Sequence, residues 1–519
     1  MEISKRQNIK ISIIITFITM LVSMVVHFFY TPFLLKKVGD DQYGLYNFAT
    51  SALSWLSVAV NAILSAYNKV VAEEIVKDEE NGERKINSVY SFIVICWASL
   101  ISVVASVLLI FMATGIINLD VYSSEGQKTI LILFGIVSIQ MIITVATKVA
   151  NLNITYNNHH IWVKMSTLMI TGLTPLVTLP FIINGEGIIT VVIIQVILNS
   201  ISHIADILYD RFFLKKKYSI IPKKEDFKII KPIFTFCSII LINEIAFQLD
   251  NSIDNIALGM KGYSEEITLY SLALSIVTIA STCSSMIYIP LIPTVFSNEA
   301  SGKREENLKL YDLVTFAQTS LWLFITGAFI SCGKEFVFIW IGKDREIVYY
   351  ICSALFLIRS VNNCAGPSKD MMRASNKHLQ TAVLAVGITC VNTILTVLFV
   401  NVLPRENAIW GCVIGTGVAS IAGWWIAANI MNYVFLRTNT KKFLLNFIFI
   451  FILMTTSCAI SILLNKFYLE KALSNNWIKF IVLCLSFIIT FTIFMAFFYK
   501  AKLKEICLLL KKSEFYKRP

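Results

Sequence analysis

The residues of this sequence that could do chemistry are polar side chains set within apolar runs. The richest run is INEIAFQLDNSIDNIAL, residues 242–258, which mixes carboxylates, able to hold a proton or a cation, with carboxamides, able to hydrogen-bond hydroxyl groups. At 100° per residue these side chains fall within roughly 160° of a helical wheel, opposite an apolar side. The pattern predicts a helix that lines water, although hydrogen bonding between neighbouring helices would account for about two or three of the residues. The polar residues are Asn243, Glu244, Gln248, Asp250, Asn251, Asp254 and Asn255.

Cationic side chains form a second set of candidates. Arg359 stands in the middle of LFLIRSVNN, and its planar guanidinium suits the oxygens of a phosphate group. The alternative is an ion pair between Arg359 and a carboxylate of residues 242–258. Lys69 and Lys148 stand near the ends of apolar runs, where a long aliphatic stem can also carry the ammonium to the membrane surface. We predict that Arg359, Lys69 and Lys148 line a substrate cavity.

Proton exchange near neutral pH is the chemistry that His27, in VVHFFYTPF, and Glu244 could supply. The alternative for His27 is packing, and we expect His203 and Asp206 in SHIAD to pair helices. No metal site is predicted, because the eleven cysteines form no CxxC pair or Cys/His cluster with metal spacing. The sequence has no glycine-rich nucleotide loop, HExxH motif or nucleophile elbow. We therefore expect no cofactor, no ATP-driven step and no enzyme activity.

The elements that must position these residues are membrane-spanning helices. Of the 519 residues, 56% are apolar and 15% are charged, against about 25% charged in soluble domains. Uncharged stretches of about 18 or more residues, long enough to cross roughly 30 Å of hydrocarbon, fill most of the chain. We predict an all-α polytopic membrane protein with about fourteen transmembrane helices, in which residues 242–258 belong to the seventh span and Arg359 to the tenth. A charge at that depth costs about 2.5–3.5 kcal/mol, so each one is a functional candidate.

The distribution of Lys and Arg predicts the orientation of the chain. With the N-terminus in the cytoplasm, the inside loops and tails contain about 30 of the 45 Lys and Arg residues. About half of these stand in residues 211–231 and 500–519, which also account for nearly all of the net charge of +12. Anionic lipid headgroups are sufficient partners for that charge, so no nucleic acid is implied. We predict that both termini are cytoplasmic.

A repeated turn indicates two related halves. LLKKVGDDQYGLYNFA at residues 34–49 returns as LGMKGYSEEITLYSLA at residues 258–273, an offset of 224 in the numbering. In the same order, NGERKIN at residues 81–87 matches SGKREEN at residues 301–307, and YNNHH at residues 156–160 matches ASNKH at residues 374–378. About six spans separate equivalent points, so the halves are predicted to be parallel, an arrangement of transporters with a central site.

The first copy of the turn and the lobes around it can be predicted in outline. Gly39 and Gly44 are expected to permit the chain reversal, and Asp40 or Asp41 to cap the helix that follows. The predicted domains are a six-helix N-terminal lobe at residues 1–213, a basic cytoplasmic linker at 214–231, a six-helix C-terminal lobe at 232–436, two further transmembrane helices at 437–499 and a basic cytoplasmic tail at 500–519.

The whole chain resembles a known group of membrane proteins. Two six-span lobes followed by two spans, the turn FLLKKVGDDQYGLYNFA, and QLDNSIDNIALG followed by EEITLYSLA are similar to the bacterial polysaccharide flippases of the Wzx type. Their superfamily includes the MATE antiporters and the lipid II flippases. In this resemblance Lys69 stands where related chains often carry a basic residue late in span two, and Asp250 stands in the QxD of span seven. Lipid II flippases carry basic residues in span one, where this chain has only His27, which argues against lipid II as substrate.

The resemblance implies alternating-access flipping of oligosaccharide repeat units, linked to undecaprenyl pyrophosphate, across the bacterial inner membrane for a surface polysaccharide such as O-antigen or capsule. Membrane lipids and a polysaccharide polymerase are the expected partners. Arg359 with Lys69 and Lys148 is expected to hold the pyrophosphate. The sugars are assigned to Asn243, Gln248, Asn251 and Asn255, and the coupling proton or sodium ion to Glu244, Asp250, Asp254 and His27.

Two other functions stay open at this stage. An ion-coupled multidrug or metabolite antiporter of the same fold would need an acidic and aromatic cavity, and residues 242–258 are partly acidic. A membrane glycan polymerase or ligase would need a large outside loop with Arg and His, and no such loop is predicted in this sequence.

Overall fold

The computed structural model describes residues 5–79, 81–216, 219–375, 377–469 and 475–511, most of which lie in helices. No β-strand occurs in this described part of the chain, which confirms the all-α prediction. In the described part of the chain, twelve helical segments are long and apolar enough, by length and composition, to cross a membrane. The predicted seventh and tenth spans are not among these twelve: the seventh is one helix of 30 residues, and the tenth is a series of short helices. The count of about fourteen spans stays a prediction.

The chain divides into two compact units, Met1–Thr268 and Leu269–Pro519. In the first unit, the main helix pairs are α1 with α7, α5 with α6, α6 with α8, and α9 with both α2 and α3. The predicted lobe boundaries at residues 1–213 and 232–436 stay a prediction. The helices of this unit are α1 (Lys5–Val38), α2 (Asp40–Leu53), α3 (Val58–Ser65), α4 (Tyr67–Lys77), α5 (Gly82–Ala113), α6 (Ser124–Tyr156), α7 (His160–Ile183), α8 (Ile188–Leu208), α9 (Ile230–Gly259) and the start of α10 (Ser264–Ser285).

The predicted second span is interrupted and not continuous. A 3₁₀ turn at Ser54–Ser57 separates α2 from α3, and Ala66 separates α3 from α4. The serines provide the reason: the Ser54 hydroxyl donates to the Ser51 carbonyl (2.6 Å), and the Ser57 hydroxyl donates to the Ser54 carbonyl (2.8 Å). Such bonds compete with the helical backbone pattern. The interruption places Ser54 and Trp55 against α9.

In the second unit, a long helix packs against the two helices that close the chain. The pairs are α12 with α19, α12 with α20, and α16 with α17. Phe324 on α12 lies 5.9 Å from Phe487 and 5.7 Å from Phe491 on α20, between ring centroids. The helices are α11 (Ile292–Ala300), α12 (Arg304–Trp340), α13 (Ile347–Ile358), α14 (Ser360–Cys364), α15 (Gly366–Ala374), α16 (His378–Val402), α17 (Arg405–Ser420), α18 (Ala428–Met431), α19 (Thr440–Leu464) and α20 (Asn476–Lys511).

Gly327 on α12 allows α12, α19 and α20 to approach closely. We therefore expect Gly327→Ala to destabilise the second unit. An added Cβ would lie 2.4 Å from Cζ of Phe487 and 2.6 Å from Cγ of Met454, and both side chains are buried. Overpacking of this kind costs about 1–3 kcal/mol, so the melting temperature of the purified protein should fall. Gly387→Ala on α16 is the matched control, because its added Cβ has nothing within 4 Å. Equal melting temperatures for the two variants would contradict the prediction.

The predicted repeat agrees with where the helices begin. Helix α2 begins at Asp40 and α10 at Ser264, which is the offset of 224 that relates the two copies of the turn. Helix α7 begins at His160 and α16 at His378, which are the last residues of the matching segments YNNHH and ASNKH. For the third pair of segments, α5 begins at Gly82 and α12 at Arg304, two residues beyond the position equivalent to Gly82. Two of the three helix pairs therefore begin at equivalent points of the repeat.

The repeated turn is built differently from the prediction in two respects. Gly39 has a φ of +89°, as a reversal requires, but it is itself the residue before α2, and neither Asp40 nor Asp41 caps the helix. Gly44 lies inside α2 and not in the turn. Its lack of a Cβ permits the Ser264 carbonyl to approach so closely that an added Cβ would lie 1.8 Å from the oxygen.

Contacts between the two copies of the turn are related by the repeat. Gly44 meets Ser264, and the Thr268 hydroxyl donates to the Asp40 carbonyl (2.6 Å). In the repeat, Asp40 corresponds to Ser264 and Gly44 corresponds to Thr268. Each of these two contacts is therefore the repeat-related equivalent of the other, as in an isologous interface. The Ser264 hydroxyl also donates to Oδ1 of Asp41. The starts of α2 and α10 therefore form a tight, two-fold-like contact, which we name the turn contact.

Candidate functional site

The polar face of α9 is partly used to hold helices together. The Gln248 amide donates to the Ser54 hydroxyl, and the Asn255 amide donates to the Ser51 hydroxyl (3.0 Å). The indole of Trp55 donates to the hydroxyl of Ser252 (2.9 Å). Gln248 and Asn255 thus have the helix-pairing role that the sequence left open as the alternative to lining water.

The other predicted residues of α9 lie in different environments. Asp254 is only 4% exposed, whereas Asn243, Glu244 and Asp250 are half-buried. Asn251 is exposed, and its amide donates to the carbonyl of Phe247 (2.7 Å) on the same helix. The residues predicted to form one wet face are therefore divided between buried and accessible positions.

Two predicted residues lie away from this face. His27 is exposed on α1. Lys69 belongs to α4, but its side chain lies outside the described residues. Proton exchange at His27 and anion binding at Lys69 stay predictions.

Lys148 lines a cavity of about 360 Å³ within the first unit. Of the thirteen described residues around this cavity, eight are polar, Lys148 is the one with a charge, and none is a carboxylate. Amide and hydroxyl groups surround the ammonium, whereas the predicted residues of α9 do not contribute. We name this space the N-unit cavity. It is lined by Tyr46, Thr50, Ser57, Val60, Asn61, Leu64, Val137, Gln140, Met141, Thr144, Val145, Lys148 and Gln195.

Several groups in the N-unit cavity have unused hydrogen-bonding capacity. Among the described residues, the side chains of Asn61, Gln140 and Lys148 make no hydrogen bond or ion pair. The hydroxyl of Tyr46 donates to Oε1 of Gln195 (3.3 Å), which leaves the amide nitrogen of Gln195 available. Sequence reasoning missed Asn61, Gln140 and Gln195. The signal was present, because Gln140 and Gln195 are isolated carboxamides within long apolar runs.

Next to the N-unit cavity, polar residues pair helices as the sequence predicted. Nε2 of His203 lies 3.3 Å from the hydroxyl of Thr144. Asp206 is 3% exposed and accepts hydrogen bonds from the Trp162 indole (2.9 Å) and the Asn151 amide (3.2 Å). Asp206 therefore joins α6, α7 and α8, and the expectation that it pairs helices is confirmed.

In the second unit, Arg359 lies at a break in the predicted tenth span. Helix α13 ends at Ile358, Arg359 has φ −81° and ψ 0°, and α14 follows from Ser360. Serine and asparagine side chains compete with the helix here: the Ser360 hydroxyl donates to the carbonyl of Leu357 (2.6 Å), and the Asn363 amide donates to that of Arg359 (3.1 Å). Broken helices at membrane depth are typical of transporter binding sites.

The guanidinium of Arg359 is available for a ligand. The side chain is half-buried, and among the described residues of its unit it makes no hydrogen bond or ion pair. The carboxylates of residues 242–258, the ion-pair partners that the sequence offers as an alternative, belong to the other unit, so that alternative stays a prediction. A half-buried guanidinium with free donors, beside an interrupted helix, can bind a phosphate or carboxylate group in bidentate fashion.

A second cation reaches the same broken segment. The ammonium of Lys369, on α15, donates to Oδ1 of Asn362 in α14 (3.1 Å) and lies 4.2 Å from the ring centre of Trp424. Trp424 belongs to a π-helical stretch, Ile421–Ala427, that follows α17. Sequence reasoning missed Lys369, because the apolar run of span ten was taken to end before it and Lys369 was left in a loop.

The similarity of this chain to known proteins lies in its structure and not in its sequence. No model of a protein family matches the sequence, and no curated protein sequence matches it. Among solved structures, the chain is similar to the lipid II flippase MurJ in an inward closed conformation, with a TM-score of 0.69 and 16% identity, covering 94% of this chain and 99% of MurJ.

Two structures of multidrug resistance MATE family transporters of the MOP superfamily are also similar. An inward-facing one has a TM-score of 0.55 and 13% identity, covering 80% of this chain and 99% of that one. An outward-facing one has a TM-score of 0.50 and 15% identity, covering 82% and 96%. The chain is therefore a multi-pass membrane protein with the fold that MurJ and these MATE transporters share.

Proposed function

We propose that this protein is a flippase that moves oligosaccharide repeat units, linked to a polyprenyl pyrophosphate, across the bacterial inner membrane for the synthesis of a surface polysaccharide. The observation that carries the proposal is Arg359: a half-buried guanidinium at a helix break, without a hydrogen bond or ion pair among the described residues of its unit. Pyrophosphate is the part of such a substrate that a bidentate cation recognises best. The similarity of fold to a lipid II flippase supports the same class of substrate.

Arg359 would hold the pyrophosphate, and Lys369 adds a second cation to the Arg359 segment. The same role for Lys69 and Lys148 stays a prediction from the sequence. Of the carboxamides of α9, Asn243 and Asn251 are accessible enough to meet sugar hydroxyls, whereas Gln248 and Asn255 are engaged with α2 and the turn that follows it. Glu244 and Asp250 are half-buried and are the acids best placed to exchange a coupling proton or sodium ion. Asp254 is buried, and His27 is exposed on α1.

Alternating access requires a contact that holds one side closed and can be released. The turn contact supports this role, since it joins the starts of α2 and α10 through one close backbone approach and two hydrogen bonds. A substrate drives the change only through different affinities for the two states, so Arg359 should be more accessible to solvent in one state than in the other.

The test is transport by the purified protein in liposomes. A lipid-linked oligosaccharide with a labelled glycan is placed in both leaflets, and a membrane-impermeant reagent that modifies the glycan is added outside. We expect vesicles that contain the protein to expose the inner pool quickly, and protein-free vesicles not to. Exposure at the protein-free rate would contradict the proposal.

The second candidate function is a multidrug antiporter, which is favoured by the similarity of fold to MATE transporters and by the half-buried acids Glu244 and Asp250 of α9. The two functions predict different phenotypes. Deleting the gene should remove the surface glycan if the protein is a flippase, and should increase sensitivity to cationic drugs if it is an antiporter. Loss of glycan with unchanged drug sensitivity is the expected result.

A further inference from the structure

We propose that the N-unit cavity is a subsite for a single sugar that carries a negative charge, as a carboxylate or a phosphate group. The inference rests on the proposed function in one respect: the sugar is taken to belong to the glycan that is transported. The N-unit cavity would be a second recognition site beside the one at Arg359. It lies within the first unit and recognises a different part of the substrate.

The size of the cavity limits the ligand. Small-molecule sites typically measure about 300–1,000 Å³, and the cavity has about 360 Å³. It is therefore at the small end of this range and suits one compact ligand and not a whole oligosaccharide. The apolar side chains on its wall, among them Val60, Leu64 and Met141, can contact the carbon face of a sugar ring.

The polar groups determine the chemistry. Gln140, Thr144 and Lys148 follow one another at intervals of four residues, so they lie on one face of α6. Asn61, on α3, and Gln195, on α8, line the same cavity from other helices. Carboxamides both donate and accept, which is what a ring bearing several hydroxyl groups requires.

The charge of the ligand follows from Lys148. Its ammonium has no hydrogen-bonding or ion-pairing partner among the described residues, and no carboxylate lines the cavity among them. A positively charged ligand would meet repulsion there without any compensating group. An anion would provide the missing partner, and a neutral sugar would leave the ammonium unsatisfied.

The test measures binding of soluble probes to the purified full-length protein by ligand-induced shifts of the melting temperature. The probes are a hexuronic acid, a hexose 1-phosphate, the neutral hexose and inorganic phosphate. We expect at least one of the two acidic sugars to bind more tightly than both the neutral hexose and phosphate. The better of the two acidic sugars identifies whether the charge comes from a carboxylate or from a phosphate linkage.

The variants Lys148→Gln and Lys128→Gln provide the comparison. Both lysines are on α6, but Lys128 is exposed near the start of the helix and is not part of the cavity. A hydrogen bond to a charged group is worth about 1.5–3 kcal/mol, so Lys148→Gln should weaken binding of the acidic sugar roughly ten- to a hundredfold. Binding of the neutral hexose should change little, and Lys128→Gln should bind all probes as the wild type does.

Three results would overturn this proposal: no binding of either acidic sugar, equal binding of inorganic phosphate, or acidic-sugar binding that survives Lys148→Gln. The proposed function is tested separately, because these probes carry no lipid and bind without being transported. Binding in the expected pattern without flipping in liposomes would contradict the flippase and leave the subsite standing. Flipping in liposomes without binding of the acidic sugars would contradict the subsite and leave the flippase standing.

Discussion

Arg359→Ala is expected to abolish transport of the lipid-linked oligosaccharide while the protein remains in the membrane at its normal abundance. Within its unit, the guanidinium makes no hydrogen bond or ion pair among the described residues, so its removal should cost little folding free energy. Two charge-assisted hydrogen bonds to pyrophosphate, at about 1.5–3 kcal/mol each, correspond to a loss of about a hundredfold or more in transport. The liposome assay and the amount of surface glycan in a complemented deletion strain both measure this loss.

Two further variants separate charge from geometry at this position. Arg359→Lys keeps the positive charge but loses the planar fork, so it should retain partial transport. Arg84→Ala removes an exposed arginine from the start of α5 and should transport as the wild type does. Normal surface glycan in the Arg359→Ala strain would rule out the assigned role.

Gly44→Ala is expected to lower the melting temperature and to stop transport, although it adds only one methyl group. The new Cβ would lie 1.8 Å from the carbonyl oxygen and 2.6 Å from the carbonyl carbon of Ser264. Both atoms belong to the backbone, so no side-chain rotation can relieve the overlap. The starts of α2 and α10 must separate, which breaks the hydrogen bond from Thr268 to Asp40 and the one from Ser264 to Asp41. Overpacking costs about 1–3 kcal/mol in general, and the backbone contact places this variant towards the upper end.

The matched control for this change is Gly135→Ala. It also adds a methyl group to a helical glycine, on α6, but nothing lies within 4 Å of the new Cβ. Alanine favours helix more than glycine does, so this variant should be as stable as the wild type or slightly more stable. Thermal unfolding of the detergent-solubilised protein and the liposome assay apply to both. If Gly44→Ala melted and transported like Gly135→Ala, the turn contact would have neither of the roles assigned to it.

Much of the fold follows from local patterns in the sequence. Long apolar runs predict spanning helices because hydrocarbon thickness and helical rise set their length, whatever lies beside them. The repeated turn predicts related halves, and α2 and α10 begin at equivalent points of that repeat. The interruptions at Ser54–Ser57 and at Arg359 were missed, since serine and asparagine also occur in continuous helices. Whether such a side chain bonds to its own backbone depends on its surroundings.

The candidate site was predictable in residue type and less so in arrangement. Arg359 was identified because a charge at membrane depth is costly and therefore requires a reason. The N-unit cavity was not identified, although Lys148 was, because its other polar residues are single amides and hydroxyls on several separate segments. Each of them alone is an ordinary packing residue, and only their convergence makes a site.

The sequence by itself determined that this chain is a helical membrane protein, and it predicts an internal repeat and polar groups at membrane depth. Those properties depend on composition and periodicity, which are local. The tertiary structure alone decided which polar groups face a cavity and which join helices. Gln248 bonds to Ser54, 194 residues earlier, and Asn255 to Ser51, 204 residues earlier. A helical wheel shows that these side chains share a face, but it carries no information on whether water or another helix lies opposite, because the position of that helix is set by the packing of the whole unit.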